Sequence, residues 1–331
     1  MESPQPPLAS DTATRPLRIV FMGTPALAAH ILERLIVEPD SRFEVVGVVT
    51  RPDQPRKRGL KLEPSEVGSV AERYGIPMLK PAKIRTPQFL AELQAFAPDV
   101  LAVAAYGRIL PNPVLEAAHL IPINVHASLL PRHRGAAPIE GAILAGDEKS
   151  GVTIMRVIEQ MDAGPILLQR SIRLAADETQ GSLKTKLAEL GATALIEALR
   201  LFDGERITAM PQDESLATYT AQVKKEDARI NWDVDAAMIE RMTRAYDPWP
   251  VARTSMAGDE LLIWRARVID GPPHPSDTPP GTLLTLSPAP LIQCGRGTLA
   301  LLEVQAPGRR RMTAADFMRG RRAALGARLG G

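Results

Sequence analysis

The chain has 331 residues, 45% of them hydrophobic and 24% charged, the composition of a folded protein of about two domains. Forty basic residues against 38 acidic ones leave a net charge of +2, so affinity for a polyanion has to come from local patches rather than bulk charge. The single cysteine, Cys294, excludes an internal disulfide and a cysteine-cluster zinc site, and no apolar run reaches the ~18 residues of a membrane helix.

The first fifteen residues, MESPQPPLASDTATR, lack an apolar core and are expected to form a disordered leader. They resemble neither a secretory signal nor a transit peptide, so a cytoplasmic location is expected. A catalytic α/β domain is then expected over residues 16–204. It opens with an apolar strand at Arg18 to Met22, ending in Gly23, and a helix through PALAAHILERLIV with Leu27, Ile31, Leu32 and Leu35 in helical spacing. Further strands are expected at FEVVGVVT (43–50), DVLAVAAYG (99–107) and IPINVHAS (121–128), with a helix around PQFLAELQAF. Apolar strands alternating with helices read as a parallel sheet with right-handed crossovers. Two more strand-like runs, GVTIMRVI and PILLQRSIRL, precede a long helix that starts near Thr179, its N-cap.

Residues 205–222 are mixed and turn-rich, the pattern of a linker. From 223 to 331 a helix, AAMIERMTRAY, and several short strands broken by Gly- and Pro-rich turns suggest a small β-barrel or sandwich.

Gly23-Thr24-Pro25 occupies the first strand-to-helix turn, where a dinucleotide fold carries three glycines. With one glycine and a proline it reads as an ordinary turn, which disfavours a nicotinamide dehydrogenase. The segment INVHASLLPRHRGAAPI is the most informative. Asn124 and His126 are two apart on a strand, so both side chains emerge on one face. Strands of a parallel sheet are apolar on both faces, and ligands bind beyond their carboxyl ends. A histidine there moves protons near neutral pH and an asparagine amide donates to a developing oxyanion. The competing reading is a backbone-satisfied histidine and a turn asparagine. Asp162, in MDAGP, is either a turn aspartate or the partner that orients the histidine.

Two basic runs stand out. The loop RPDQPRKRGLK (51–61) carries Arg51, Arg56, Lys57, Arg58 and Lys61 against Asp53. The stretch from Arg296 to Gly331 carries eight arginines, Arg309, Arg310 and Arg311 among them, against Glu303 and Asp316. Each alone reads as a solvated face, but together in a nearly neutral chain they suggest a polyanion partner. With aromatics at 4%, phosphate contacts rather than base stacking are expected.

From about Arg18 to Gly330 the chain resembles the 10-formyltetrahydrofolate-dependent formyltransferases, in their tRNA-directed branch, the methionyl-tRNA formyltransferases. The matching signatures are FMGTPALAA, TRPDQPRKRGLKLEPS, AAYGRILP, NVHASLLPRHRGAAPI, GVTIMRVIEQMDAGPIL, INW, RAYDPWP and GTLALLEVQAPGRRRMTAADFMRG. Lys57 stands where the family's loop usually has glycine. The resemblance implies a Rossmann-like domain that holds 10-formyltetrahydrofolate without a metal, followed by an OB-like barrel that helps hold initiator methionyl-tRNA. It maps Asn124, His126 and Asp162 onto the catalytic trio, and Ser128, Leu129, Leu130 and Pro131 onto the folate-binding stretch. Arg58 falls on the loop arginine implicated in gripping the acceptor end, with Arg56, Lys57, Lys61 and Arg309 to Arg311 as further tRNA contacts. Nothing requires more than a monomer. The rival expectations are a formyltransferase for another amine such as an amino-sugar nucleotide, a formyltetrahydrofolate hydrolase, and a non-catalytic RNA-binding adaptor.

Overall fold

The computed structural model describes residues 15–56, 61–202, 207–269 and 278–330. The expected leader lies outside them up to residue 14, and its last residue, Arg15, is tied to Asp99 by two hydrogen bonds. The described residues form two compact units. The first takes the chain up to Pro138 with Lys149–Arg173 and Lys184–Thr220; the second takes Ile139–Glu148, Leu174–Leu183 and the chain from Ala221 onward.

In chain order the elements begin with β1 (Leu17–Gly23), α1 (Ala26–Val37), β2 (Phe43–Val49), β3 (Gln54–Arg56), β4 (Lys61–Glu63), α2 (Glu66–Tyr74), β5 (Met78–Leu79) and α3 (Pro87–Ala95). They continue with β6 (Val100–Ala104), α4 (Asn112–Leu115), β7 (Ile121–His126), β8 (Arg134–Gly135), α5 (Pro138–Ala145), β9 (Lys149–Arg156), β10 (Ile166–Arg173), α6 (Gln180–Phe202) and β11 (Tyr219–Thr220). The second unit adds α7 (Ala236–Ala245), β12 (Arg253–Met256), β13 (Asp259–Ile269), β14 (Leu283–Thr285), β15 (Leu291–Gln293), β16 (Thr298–Gln305), β17 (Met312–Thr313) and α8 (Ala314–Gly320).

The main sheet of the first unit has the order β10-β9-β7-β6-β1-β2-β5. Its β5-β2-β1-β6-β7 part is all parallel and follows the doubly wound order, with the reversal between β1 and β6. The strands are apolar on both faces because both faces are covered: all five residues of β6 are buried, as are six of the seven in β1. Helix α1 buries Leu27, Ile31, Leu32 and Leu35, the set its spacing predicts.

The two further strand-like runs add an antiparallel edge to the parallel sheet. Strand β9 runs antiparallel to β7, and β10 antiparallel to β9. The connection 157–165 is shorter than the dozen or more residues a parallel crossover needs, so the pair closes as a hairpin. In the region of the basic loop 51–61, β3 and β4 pair antiparallel between Gln54–Arg56 and Lys61–Glu63. Lys57 and Arg58 lie outside the described residues, and of Arg56 and Lys61 only the backbone pairing is described.

Gly23 is explained by crowding. A Cβ there would sit 2.7 Å from Ala28 Cβ and 2.9 Å from the Ala104 carbonyl oxygen, so the turn after β1 needs glycine for packing. The stretch expected as a linker is bonded into the first unit. Met210 pairs with Ile166, and β11 pairs in parallel with β8.

The second unit is antiparallel, in the order β12-β13-β16-β15-β14 with β17 on β16. Arg328 bridges to Thr282 and Leu329 to Met256, so one terminal segment joins the two ends of the sheet. Its core gathers Trp232, Ile239, Leu261, Ile263, Ile292, Leu299, Leu301 and Cys294. Burial pushes the Cys294 thiol up to about 12, which leaves it protonated and unreactive.

Asp99 shows how a buried carboxylate is held charged. Burial opposes its ionisation, but hydrogen bonds from Arg15 and from the Arg18 backbone N–H outweigh that and hold it below the usual carboxylate range. Its stabilising effect is therefore present above the unfolded pKa of about 3.9 and lost as pH falls through the lower native value. Asp99→Asn is expected to cost about 1–2 kcal/mol at pH 7. Denaturation midpoints measured from pH 7 to 3 should show the gap to the wild type closing on the acid side.

Candidate active site

Strand β7 sets the site. Asn124 lies level with Val103 of β6 and Met22 of β1, and His126 ends the strand at the carboxyl edge of the parallel sheet. On the other side Asn124 and His126 pair with Met155 and Thr153 of β9. His126 is 5% exposed and Asn124 half-buried, and the Asn124 amide has no hydrogen-bond partner among the described residues.

The histidine's tautomer follows from its neighbours. His126 Nε2 lies 2.9 Å from the carbonyl oxygen of His133, and a carbonyl only accepts, so Nε2 carries a hydrogen and donates it. In the neutral ring Nδ1 is then the bare nitrogen. It faces Asp162 Oδ1 at 3.7 Å, beyond hydrogen-bond length. The carboxylate faces the ring without capping Nδ1, which stays open to a proton from a reacting group.

Asp162 reaches His126 from the β9–β10 connection, at a φ of +50°, a conformation that aspartate tolerates better than most residues. Its Oδ2 accepts the backbone N–H of Gly135 at 2.8 Å. The structure thus brings two of the three expected catalytic residues face to face, and each bonds one end of the short segment 133–135. Within that segment a Cβ on Gly135 would fall 2.4 Å from the Thr220 carbonyl oxygen, at a φ of +108° that also favours glycine.

The expected ligand-binding stretch is a turn held by several hydrogen bonds. Ser128 is buried and its hydroxyl donates to the Arg132 carbonyl at 2.6 Å. Thr153 Oγ1 donates to the Ser128 carbonyl at 2.7 Å and accepts the Leu130 N–H at 3.1 Å. Gln169 Nε2 donates to the Leu130 carbonyl at 2.8 Å. Leu129 and Pro131 are partly exposed and Leu130 is buried, packed with Met155 and Ile166. Close to the reversal in strand order, Thr24 donates to the Tyr106 carbonyl. The Tyr106 hydroxyl is buried without a partner among the described residues, and burial pushes it above its ordinary pKa. Among the described residues no cluster of three or more His, Cys, Asp or Glu side chains stands where it could hold a metal ion.

Sequence reasoning missed Arg134, which is fully buried. All five of its N–H groups are used. Nε and Nη2 donate to Gln212 Oε1 at 3.1 and 2.8 Å, Nη1 and Nη2 to the Glu214 carboxylate at 2.9 and 2.7 Å, and Nη1 to the Tyr219 hydroxyl at 3.2 Å. The hydrogen bond to Glu214 holds the guanidinium above its ordinary pKa. The signal was an arginine inside a motif otherwise read for its neutral residues; its partners, in a turn-rich stretch, gave none.

In the second unit Arg309, Arg310 and Arg311 are exposed between β16 and β17. Arg311 stacks on Trp264, 3.1 Å from the ring centroid. Trp264 Nε1 donates to Gln305, whose amide donates in turn to the Arg309 carbonyl at 2.7 Å.

A histidine facing a carboxylate at the carboxyl edge of a doubly wound sheet fits a group-transfer enzyme, and the chain matches the family model described as Formyl transferase over residues 17–199. Residues 222–322 match the model described as Formyl transferase, C-terminal domain. The methionyl-tRNA formyltransferase of Methylococcus capsulatus is 46% identical over 95% of this chain and 100% of its own. That of Roseiflexus sp. is 48% identical over 95% of this chain and 96% of its own. The chain belongs to the methionyl-tRNA formyltransferase family. In fold it is similar to the N-formyltransferase of Helicobacter canadensis, solved with folinic acid and dTDP-3-aminofucose, at a TM-score of 0.64 and 17% identity over 88% of this chain and 99% of that one.

Lysine offers three donors on a point charge where Arg134 uses five in a planar fork. Arg134→Lys is expected to cost about 2–4 kcal/mol by leaving buried acceptors unmatched. It should lower the urea midpoint with little change in the slope of unfolding.

Proposed function

We propose that the chain transfers the formyl group of 10-formyltetrahydrofolate to the α-amino group of methionine esterified to initiator tRNA, giving N-formylmethionyl-tRNA for translation initiation. The observation that carries the mechanism is the pairing of His126 Nδ1 with Asp162, on the strand that also presents the unpartnered Asn124 amide. A free amide donor and the tied-down turn 128–131 fit a polar planar donor molecule at this edge. When bound, the folate supplies a formyl group on nitrogen, an electrophilic carbon.

The amine must be neutral to attack, and an α-amino group with a pKa of roughly 7.7–8.0 loses its proton at little cost. As the new carbon–nitrogen bond forms, negative charge gathers on the formyl oxygen, where the Asn124 amide donates. His126 Nδ1 takes the proton the amine releases and delivers it to the departing nitrogen as the old bond breaks. Asp162 faces the positive charge the ring acquires in between. The balance is closed: one carbon–nitrogen bond forms, one breaks, and one proton moves.

For the tRNA, the exposed arginines 309–311 and the basic loop with Arg56, Lys57, Arg58 and Lys61 supply phosphate contacts. An amino-sugar nucleotide as acceptor is favoured by likeness of fold alone, at 17% identity. Action in the cytoplasm as a monomer and an OB-like topology for the second unit are parts of the same proposal.

The test is formyl transfer from 10-formyltetrahydrofolate to initiator methionyl-tRNA, with uncharged tRNA and enzyme-free mixtures as controls. Transfer should vanish in His126→Ala and fall about 10²–10³-fold in Asn124→Ala. Folate binding without transfer to methionyl-tRNA would redirect the reading to another amine or to water. Reversing Arg309, Arg310 and Arg311 to glutamate should raise the KM for tRNA and flatten its salt dependence, by about 0.7–0.9 in log–log slope per lost phosphate contact. Folate binding should be unaffected; equal loss of both would mark a folding role instead.

A further inference from the structure

Gln212 lies between the two regions that match the family models, in a stretch whose composition reads as a connector. Its side chain nevertheless makes four hydrogen bonds inside the first unit. Oε1 accepts from Nε and Nη2 of Arg134, and Nε2 donates to the carbonyl oxygens of Asp162 at 2.8 Å and Gly164 at 2.7 Å. The amide cannot be turned round. A guanidinium has no acceptor, and carbonyls have no donor, so Arg134 and the 162–164 turn together dictate which end faces which.

We infer that Gln212 is a positioning residue for formyl transfer, holding the Asp162 turn so that its carboxylate stays on His126, with Arg134 fixing the direction in which its amide donates. The inference rests on the reading of His126 and Asp162 given above. Asp162 stands at a left-handed φ between elements of a hairpin, and its own side chain makes one hydrogen bond, to Gly135. Without the two amide donors, the carbonyls at 162 and 164 lose the bonds that hold the turn. The distance from Oδ1 to His126 Nδ1 is then free to change, and a shift of about 1 Å in a reacting group can cost up to a hundredfold in rate.

Gln212→Glu separates the two halves of this arrangement, because the carboxylate still accepts from Arg134 but cannot donate to either carbonyl. The full chain is assayed with both substrates varied, together with the pH profile of kcat, the side-chain nitrogen resonances of His126 and the melting temperature. Gln212→Glu should lower kcat by about tenfold to a hundredfold with each KM within about twofold of wild type. The pH profile and the His126 resonances should shift. Should Gln212→Glu fail to fold, Gln212→Met, apolar and of similar length, carries the same expectation. A folded variant with wild-type kcat, pH profile and resonances, even at a lower melting temperature, would overturn the inference and leave Gln212 a structural residue. Wild-type enzyme with no His126-dependent transfer would instead overturn the functional reading, and the positioning role with it.

Discussion

A guanidinium removed from water has to meet an acceptor with each of its N–H groups, and at Arg134 this requirement organises the surroundings of the site. An unmatched buried charge costs several kcal/mol, so the chain brings Gln212, Glu214 and Tyr219 to it from far along the sequence. Pulling that stretch in places β11 beside β8, so the backbone around Arg134 is paired as well. Residues 133–135 then have almost no freedom, and both the carbonyl that fixes His126 and the N–H that fixes Asp162 belong to them. His126 and Asp162 are thus both tied to a segment that is held in place by the polar network around Arg134.

Much of this architecture was legible in the residues, for identifiable reasons. Short apolar runs such as VLAVA, bounded by turn residues, read as buried strands, and an Asn and a His two apart on one of them project to the same side. Asp162 was legible as a turn residue with a second possible use, and the structure places its carboxylate 3.7 Å from His126 Nδ1. What escaped was information held in pairings distant in sequence. The direction of β9 depends on its pairing with β7 and that of β10 on the length of the connection before it, and neither leaves a mark on the apolar pattern. The hairpin of β3 and β4 is made by main-chain bonds around a proline, which sequence patterns read as a break. Gln212 was hidden because the hydrogen-bond partners that give it meaning lie 48 to 78 residues away.

The two units handle their charged and polar groups differently. In the first, buried polar groups such as Arg134, Asp99 and His126 are matched by internal partners. In the second, the core is apolar to the point of holding Cys294 in its protonated form, while Arg309, Arg310 and Arg311 stand on the outside, Arg311 laid flat on Trp264. A net charge of +2 therefore conceals a division of labour between cations that organise the protein's own backbone and cations left facing solvent.

The spacing between His126 and His133 has a consequence for how this segment can change length. Three consecutive residues, 133 to 135, hold the histidine ring, the buried arginine and the aspartate turn, each through a different kind of atom. Substitutions on the exposed side of the intervening turn alter one contact at a time. An insertion or deletion of a single residue between 127 and 132 shifts all three together, turning the Arg134 side chain out of its socket while moving the carbonyl and the N–H off their partners. The stretch is a loop by shape but has the fixed length of a strut, and variation in it is confined to the identity of its residues.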